Sequence, residues 1–214
     1  LDDVNDIYIT RLSTSFTNGW CHAEVDAHYG QVLSYANGLP VLVVTAYGAL
    51  MIVYKSGIKW DMGSRLMFLS MLGWSAGVIP AIVDSTIVVN RVMHNTKWVP
   101  GHFHMYMGLG VIAMIFGFMY YLEKNDSSIQ TNELDKTAFV IYMLSLIGVS
   151  GGFLTSGAIS TPRRFATHFE EWMVQAKFGA VSGICALLAI SIFVIHFIRY
   201  LVIRDRRTTK RMAS

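Results

Sequence analysis

The sequence predicts an all-α membrane protein with five transmembrane helices, and three observations predict it. Apolar residues make up 53% of the 214 residues and charged residues only 14%. The charges collect between long apolar runs, whereas a soluble domain of this size spreads them over its shell. Five runs are each long enough to cross a hydrocarbon core of roughly 30 Å at a rise of about 1.5 Å per residue.

Taken in order, residues 1–30 are polar and mixed, with Asp2, Asp3, Asp6, Asn18, Gly19, His22, Glu24, Asp26 and His28. They read as an extramembrane segment, mostly loop. The five-helix membrane domain follows over residues 31–204, and residues 205–214 form a basic tail. The apolar runs cover about 32–54, 66–89, 99–122, 137–159 and 174–203. Pro40 and Pro80 fall inside helices and are expected to kink them, which membrane helices tolerate. Gly148, Ser150, Gly151, Gly152, Ser156 and Gly157 crowd the fourth helix. Small residues there admit a close helix neighbour or a large flat ligand. No internal repeat or low-complexity segment is visible.

The net charge of +3 is modest, and its excess lies in Arg199, Arg204, Arg206, Arg207, Lys210 and Arg211. That distribution argues for membrane orientation, with the C-terminus cytoplasmic and the N-terminal segment outside, rather than for nucleic-acid binding. Counting spans then puts His94, Arg91, Lys97, Arg163 and Arg164 together on the outer face. Cys21 and Cys185 are the only cysteines, too few for a disulfide framework or a CxxC metal site. The chain starts at Leu1 without a signal-peptide pattern, as a processed product or a piece of something longer would.

The chemistry centres on His94-Asn95-Thr96-Lys97-Trp98-Val99-Pro100-Gly101-His102-Phe103-His104. On a helix, residues two apart point about 200° from each other. His102 and His104 therefore face different partners. Imidazole is a good axial ligand for haem iron, so one reading is two haems flanking one helix. The plainer reading is two ordinary helix-end histidines. Thr161-Pro162-Arg163-Arg164 is expected on the same face. An arginine fork suits a haem propionate. It also serves as a plain interfacial anchor.

The run HNTKWVPGHFH, the Gly-rich helix after it and the later P-R-R closely resemble subunit I of the heme–copper terminal oxidases. The resemblance is best to the B-type branch of archaea and some bacteria. It covers about residues 30–203 and matches the C-terminal part of that twelve-helix-type bundle. It implies that His102 is the proximal ligand of a high-spin haem and His104 one axial ligand of a low-spin haem. Phe103 would pack between the haems. Arg163 and Arg164 would pair with propionates, and His94 would hydrogen-bond one. Asn90 stands where the family often has a carboxylate. Asn95 replaces the Asp of a magnesium site, so a magnesium site of that design is not expected. Nitric oxide reductase relatives and cbb-type oxidases usually lack the Phe between the histidines, which favours an oxidase.

The resemblance also implies what must come from elsewhere. The family's copper B ligands, its H-x-x-x-Y motif and the second low-spin ligand lie on earlier helices. Counting back, the copper-binding His pair would fall near Thr14 and Ser15, or before Leu1. His102-x-x-x-Tyr106 is on the wrong helix. The expected partners are a chain carrying those N-terminal helices, a subunit II-like chain, and cytochrome c, a cupredoxin or a quinol as electron donor. The complete enzyme, in an archaeal or bacterial plasma membrane, would reduce oxygen to water in a respiratory chain with proton translocation. The competing reading is a haem-binding electron-transfer or scaffold subunit without oxygen chemistry.

Other groups carry weaker signals. Cys21, His22, Glu24, Asp26 and His28 resemble a metal cluster by composition, but their spacing fits no common structural zinc pattern. A docking or solvated loop is the alternative. Asp84, an acid within a membrane helix, is a functional candidate by default. The resemblance implies that Ser34, Tyr35, Thr45 and Tyr47 on the first helix line a proton path, since the family runs one beside this helix. His196 reads as interfacial.

Overall fold

The structure, a computed structural model, describes residues 2–124, 131–165, 167 and 169–212. Side chains are described from His28 on, apart from residues 207 and 210–212. The elements are α1 (Asp2–Ser56), α2 (Met62–Ser85), α3 (Ile87–Met93), α4 (Trp98–His104), α5 (Ala113–Lys124), α6 (Glu133–Ala158) and α7 (Met173–Met212). A π-helical stretch, Met105–Ile112, joins α4 to α5, and a 3-10 turn, Glu170–Trp172, leads into α7. Five segments have the length and apolarity to cross a membrane: His28–Ser56, Met62–Ser85, Trp98–Lys124, Glu133–Ala158 and Glu170–Arg206. The all-α, five-span architecture read from the sequence is the one observed.

Two expected boundaries differ. The N-terminal segment is not mostly loop, because α1 runs unbroken from Asp2 to Ser56. No proline precedes Pro40, so nothing removes a backbone donor from the ladder in that stretch. The side chains of Cys21, His22, Glu24 and Asp26 lie outside those described. The second span ends at Ser85 rather than near Val89. Thr86 is extended (φ −72°, ψ 120°), and α3 starts afresh at Ile87. The β-branched run Thr86-Ile87-Val88-Val89 gives the helix little propensity to continue. Neighbours complete the break. Gln31 Oε1 accepts from the Ile87 amide at 2.9 Å, Tyr35 bonds the Thr86 hydroxyl at 2.5 Å, and Asn90 Nδ2 donates to the Asp84 carbonyl at 2.7 Å.

Helix starts are well specified. Asp61 and Ser64 form a capping box at α2, and Asn132 and Asp135 form one at α6. The core gathers Leu66, Leu109, Ala113, Phe116, Tyr142 and Phe193 from α2, the π stretch, α5, α6 and α7. Close backbone approach explains the small residues. A Cβ on Gly73 would sit 2.5 Å from the Leu109 carbonyl carbon. The π stretch thus lies directly on α2. Its widened register frees carbonyls from the α ladder, and the Tyr142 hydroxyl donates to the Gly108 carbonyl oxygen. On α6, Gly148 meets Ser182 and Gly152 meets Gly179 of α7. The close helix neighbour expected at the Gly-rich helix is α7.

Candidate functional site

His102 and His104 lie at the end of α4, just before the π stretch. π segments in α-helices recur at functional sites. The two rings face different helices, as their spacing requires. His104 packs on Phe153 of α6, ring centroids 4.9 Å apart. His102 lies on the side of Tyr106, one turn on, with ring centroids 6.1 Å apart. Tyr106 in turn meets Trp74 at 5.4 Å and lies over Gly77 of α2. One helix therefore presents an imidazole towards α2 and another towards α6.

Their hydrogen bonding differs. His104 Nδ1 lies 2.6 Å from the Pro100 carbonyl oxygen. A carbonyl only accepts, so Nδ1 is the donor and the lone pair of the neutral ring sits on Nε2. Metal-bound histidines are oriented in the same way. His102 Nδ1 is buried without a hydrogen-bond partner among the described residues, as is Oδ1 of Asp84. Orphaned buried polar atoms are rare in folded proteins. Phe103, between the two histidines, is 55% exposed.

The loops around this end interlock. Thr96 and Pro162 form an isolated antiparallel bridge. The Lys97 amide donates to Thr161 at 2.9 Å, and the Arg163 amide to Asn95 at 2.9 Å. The guanidinium of Arg163 reaches Asn95 Oδ1, 68 residues back in the chain, at 3.4 Å. Arg164 follows with φ 63° and an exposed side chain. The H-N-T-K and T-P-R-R segments, far apart in sequence, are thus one structural unit. His94 caps α3 through its amide on Asn90 and keeps its side chain exposed. Lys97 loses water on burial, which pulls its ammonium below the usual lysine value. The Asn90 amide is engaged by the Asp84 carbonyl. Gly157 and Trp98 set the depth of the unit: a Cβ at 157 would lie 2.1 Å from the Trp98 nitrogen. Trp98 Nε1 donates to the Pro80 carbonyl at 3.1 Å and ties α4 to α2.

A family model described as "Cytochrome C and Quinol oxidase polypeptide I" matches residues 23–191. The chain belongs to that family. A cytochrome c oxidase subunit 1 of Thermus thermophilus is 27% identical over 160 residues, covering 70% of this chain and 28% of the relative. Cytochrome c oxidase subunit 1 of Albinaria turrita is 24% identical over 146 residues, covering 66% of this chain and 70% of the relative. A solved heme–copper terminal oxidase dimer superposes with a TM-score of 0.70 at 21% identity, covering 81% of this chain and 36% of that one. The chain therefore spans 28% of the Thermus relative and 36% of the solved structure's chain. The family is one of oxidoreductases and implies haem and copper.

The residues fit a haem. His104 offers a fixed lone pair beside an aromatic wall, His102 is a half-buried ring with an unpartnered Nδ1, and two arginines sit on the adjoining loop. Phe153 and the Pro100 carbonyl do not stand out in the sequence. The signal that could have marked Phe153 is its place as the one aromatic within the glycine-rich stretch 148–157 of α6. Of the polar residues expected along α1, Tyr35 bonds Thr86, and Thr45 bonds Ser75 at 2.8 Å. Ser34 and Tyr47 are exposed instead. His196 faces the interior of the bundle. It is buried between Glu123 and Asp135, which pair with its two ring nitrogens.

Proposed function

We propose that this chain is the C-terminal part of the catalytic subunit of a respiratory terminal oxidase. His102 would be the proximal ligand of the high-spin haem and His104 one axial ligand of the low-spin haem. The observation that carries the reading is the bond from His104 Nδ1 to the Pro100 carbonyl, which fixes the tautomer a haem ligand needs. When bound, the haems supply one-electron transfer and, at the high-spin iron, oxygen binding and reduction.

The protein's part is positional. Phe153 holds the His104 ring against rotation. The loop pairing of residues 94–97 with 161–163 holds Arg163 and Arg164 at the histidine end, where their cations would meet the propionates. Asn90 braces the break that carries α3 and His94, and His94 would hydrogen-bond a propionate. Phe103, exposed between the two ligands, would pack between the haems. The basic end of α7 would face the cytoplasm, with the histidine end outside, in a prokaryotic plasma membrane. Copper B, the second low-spin ligand and the electron-donor site would come from the remaining helices of subunit I and from a subunit II-like chain.

Redox difference spectra of the purified complex test the reading. Two haems, one of them high-spin and reactive with carbon monoxide, are expected. One haem or none overturns it and leaves an electron-transfer or scaffold subunit.

A further inference from the structure

The cluster of Glu123, His196 and Asp135 lies at the opposite end of the bundle from the two histidines. Near-continuous helix, roughly 28 Å long, separates Glu123 from His104. All three side chains are buried, with exposures of 4%, 8% and 1%. They come from three helices, α5, α7 and α6. Nothing in the haem reading uses them.

Its proton content follows from geometry. His196 Nε2 lies 2.9 and 3.0 Å from the two Glu123 oxygens. Nδ1 lies 3.0 Å from Asp135 Oδ2. That same Oδ2 accepts the Asn132 amide at 3.0 Å in the α6 capping box. An oxygen accepting a backbone N–H at a helix N-terminus is favoured as carboxylate. Nδ1 is therefore the donor to Asp135. The contact with Glu123 needs a second proton, either on Nε2 of an imidazolium or on the Glu123 carboxyl. In both forms the cluster holds two protons and one net negative charge. A third proton would make it neutral, which burial favours.

We propose that Glu123, His196 and Asp135 form a proton-binding site that exchanges one proton with solution at the basic end of the bundle. A cavity lies on each side. A cavity of about 90 Å³ is lined by Glu123 and Tyr120 together with Asp61 and Lys124. Another of about 80 Å³ is lined by His196 and Asp135 together with Asn132 and Arg199. Each is roomy enough for water and has polar partners for it. The charged and titratable groups facing the cluster are Tyr120 and Lys124 of α5, Asp61 before α2, and Arg199 of α7. Among the described residues no group of three His, Cys, Asp or Glu side chains is arranged to hold a metal ion.

The test is a pH titration of the intact complex followed by infrared difference spectroscopy, with histidine ring-labelled protein read in parallel by nitrogen NMR. Wild-type complex should show a carboxylic C=O band that grows on acidification within the range where the complex is intact. The His196 resonances should report both ring nitrogens protonated at neutral pH as well as on acidification, so that the one proton taken up is the proton read on the carboxyl. Glu123→Gln should abolish or shift that band while leaving the haem spectra unchanged. No titrating carboxyl band in wild type, or the same band persisting in Glu123→Gln and Asp135→Asn, would overturn the proposal. Wild-type spectra decide it even where a variant does not assemble. The readout is independent of the haem assignment, so the two can fail separately.

Discussion

The Nδ1 of His104 is bonded to the carbonyl of Pro100, one turn back on its own helix, at 2.6 Å. A backbone acceptor cannot titrate or rotate away, so the ring presents Nε2 in a fixed direction. Phe153 packs against the ring, centroid to centroid at 4.9 Å. An aromatic contact of this kind is worth roughly 1 kcal/mol beyond its buried area. Phe153→Ala should therefore loosen the low-spin centre without abolishing it. Haem retention during dilution or mild denaturation should weaken about fivefold, read from the low-spin absorbance. An unchanged low-spin centre would show that Phe153 does not hold His104.

Gly157 is where α6 meets the start of α4 most tightly. Its Cβ would lie 2.1 Å from the nitrogen and 2.5 Å from the Cα of Trp98, both backbone atoms. Gly157→Ala should lower stability by about 1–3 kcal/mol or more, and push apart the loops that carry Arg163 and Asn95. Gly183 on α7 has nothing within 4 Å of the place a methyl group would take, and Gly183→Ala should stay within about 0.5 kcal/mol. Thermal unfolding of the two variants side by side gives the comparison. Equal melting points would remove the close approach from the account.

Asp61 links a helix cap to a surface ion pair. Burial raises its pKa, but the bond from Lys124, the amide and hydroxyl of Ser64, and the Lys124 charge outweigh that and hold it below 3.8. The lowered value gives the sign. Its stabilisation is fully present above the unfolded value of 3.8 and is lost as pH falls through the lower folded value. Asp61→Ala should cost about 1 kcal/mol through the lost cap. Lys124→Ala should cost less, because the pair is exposed, at 63% and 38%. Unfolding curves at neutral and acid pH test both statements, and the Asp61→Ala deficit should shrink on acidification.

Arg163 and Arg164 are offered as propionate partners. Removing either cation should lower the midpoint potential of a neighbouring haem by roughly tens of millivolts, because a nearby positive charge favours the reduced state. Arg163 is already held by Asn95, so Arg163→Lys should lose the fork and shift the potential more than a lysine does at exposed position 164. Redox titration of the variants measures this. Potentials unmoved by both substitutions would leave the pair as interfacial anchors.

Much of this was legible in the sequence, for physical reasons. A run of apolar residues can satisfy its backbone in lipid only as a helix, so the five spans were readable to within a few residues. The site was half legible. His102 and His104 announce themselves by spacing, and Arg163-Arg164 by topology. The loop pairing of Asn95 with Arg163 depends on residues far apart in the chain. The break at Thr86 was hidden because Gln31 and Tyr35 of α1 complete it, and tertiary partners leave no local signal. The helical course of residues 2–30 was obscured by polar composition. The burial of His196 left no signal because its carboxylate partners stand on other helices, Glu123 as far as 73 residues away.

The most direct measurement of the central claim is the paired substitution of the two histidines. In the assembled complex, His102→Ala should abolish the carbon-monoxide-reactive high-spin haem and leave the low-spin spectrum. His104→Ala should do the reverse. If both variants keep both haem signals, the ligand assignment is wrong.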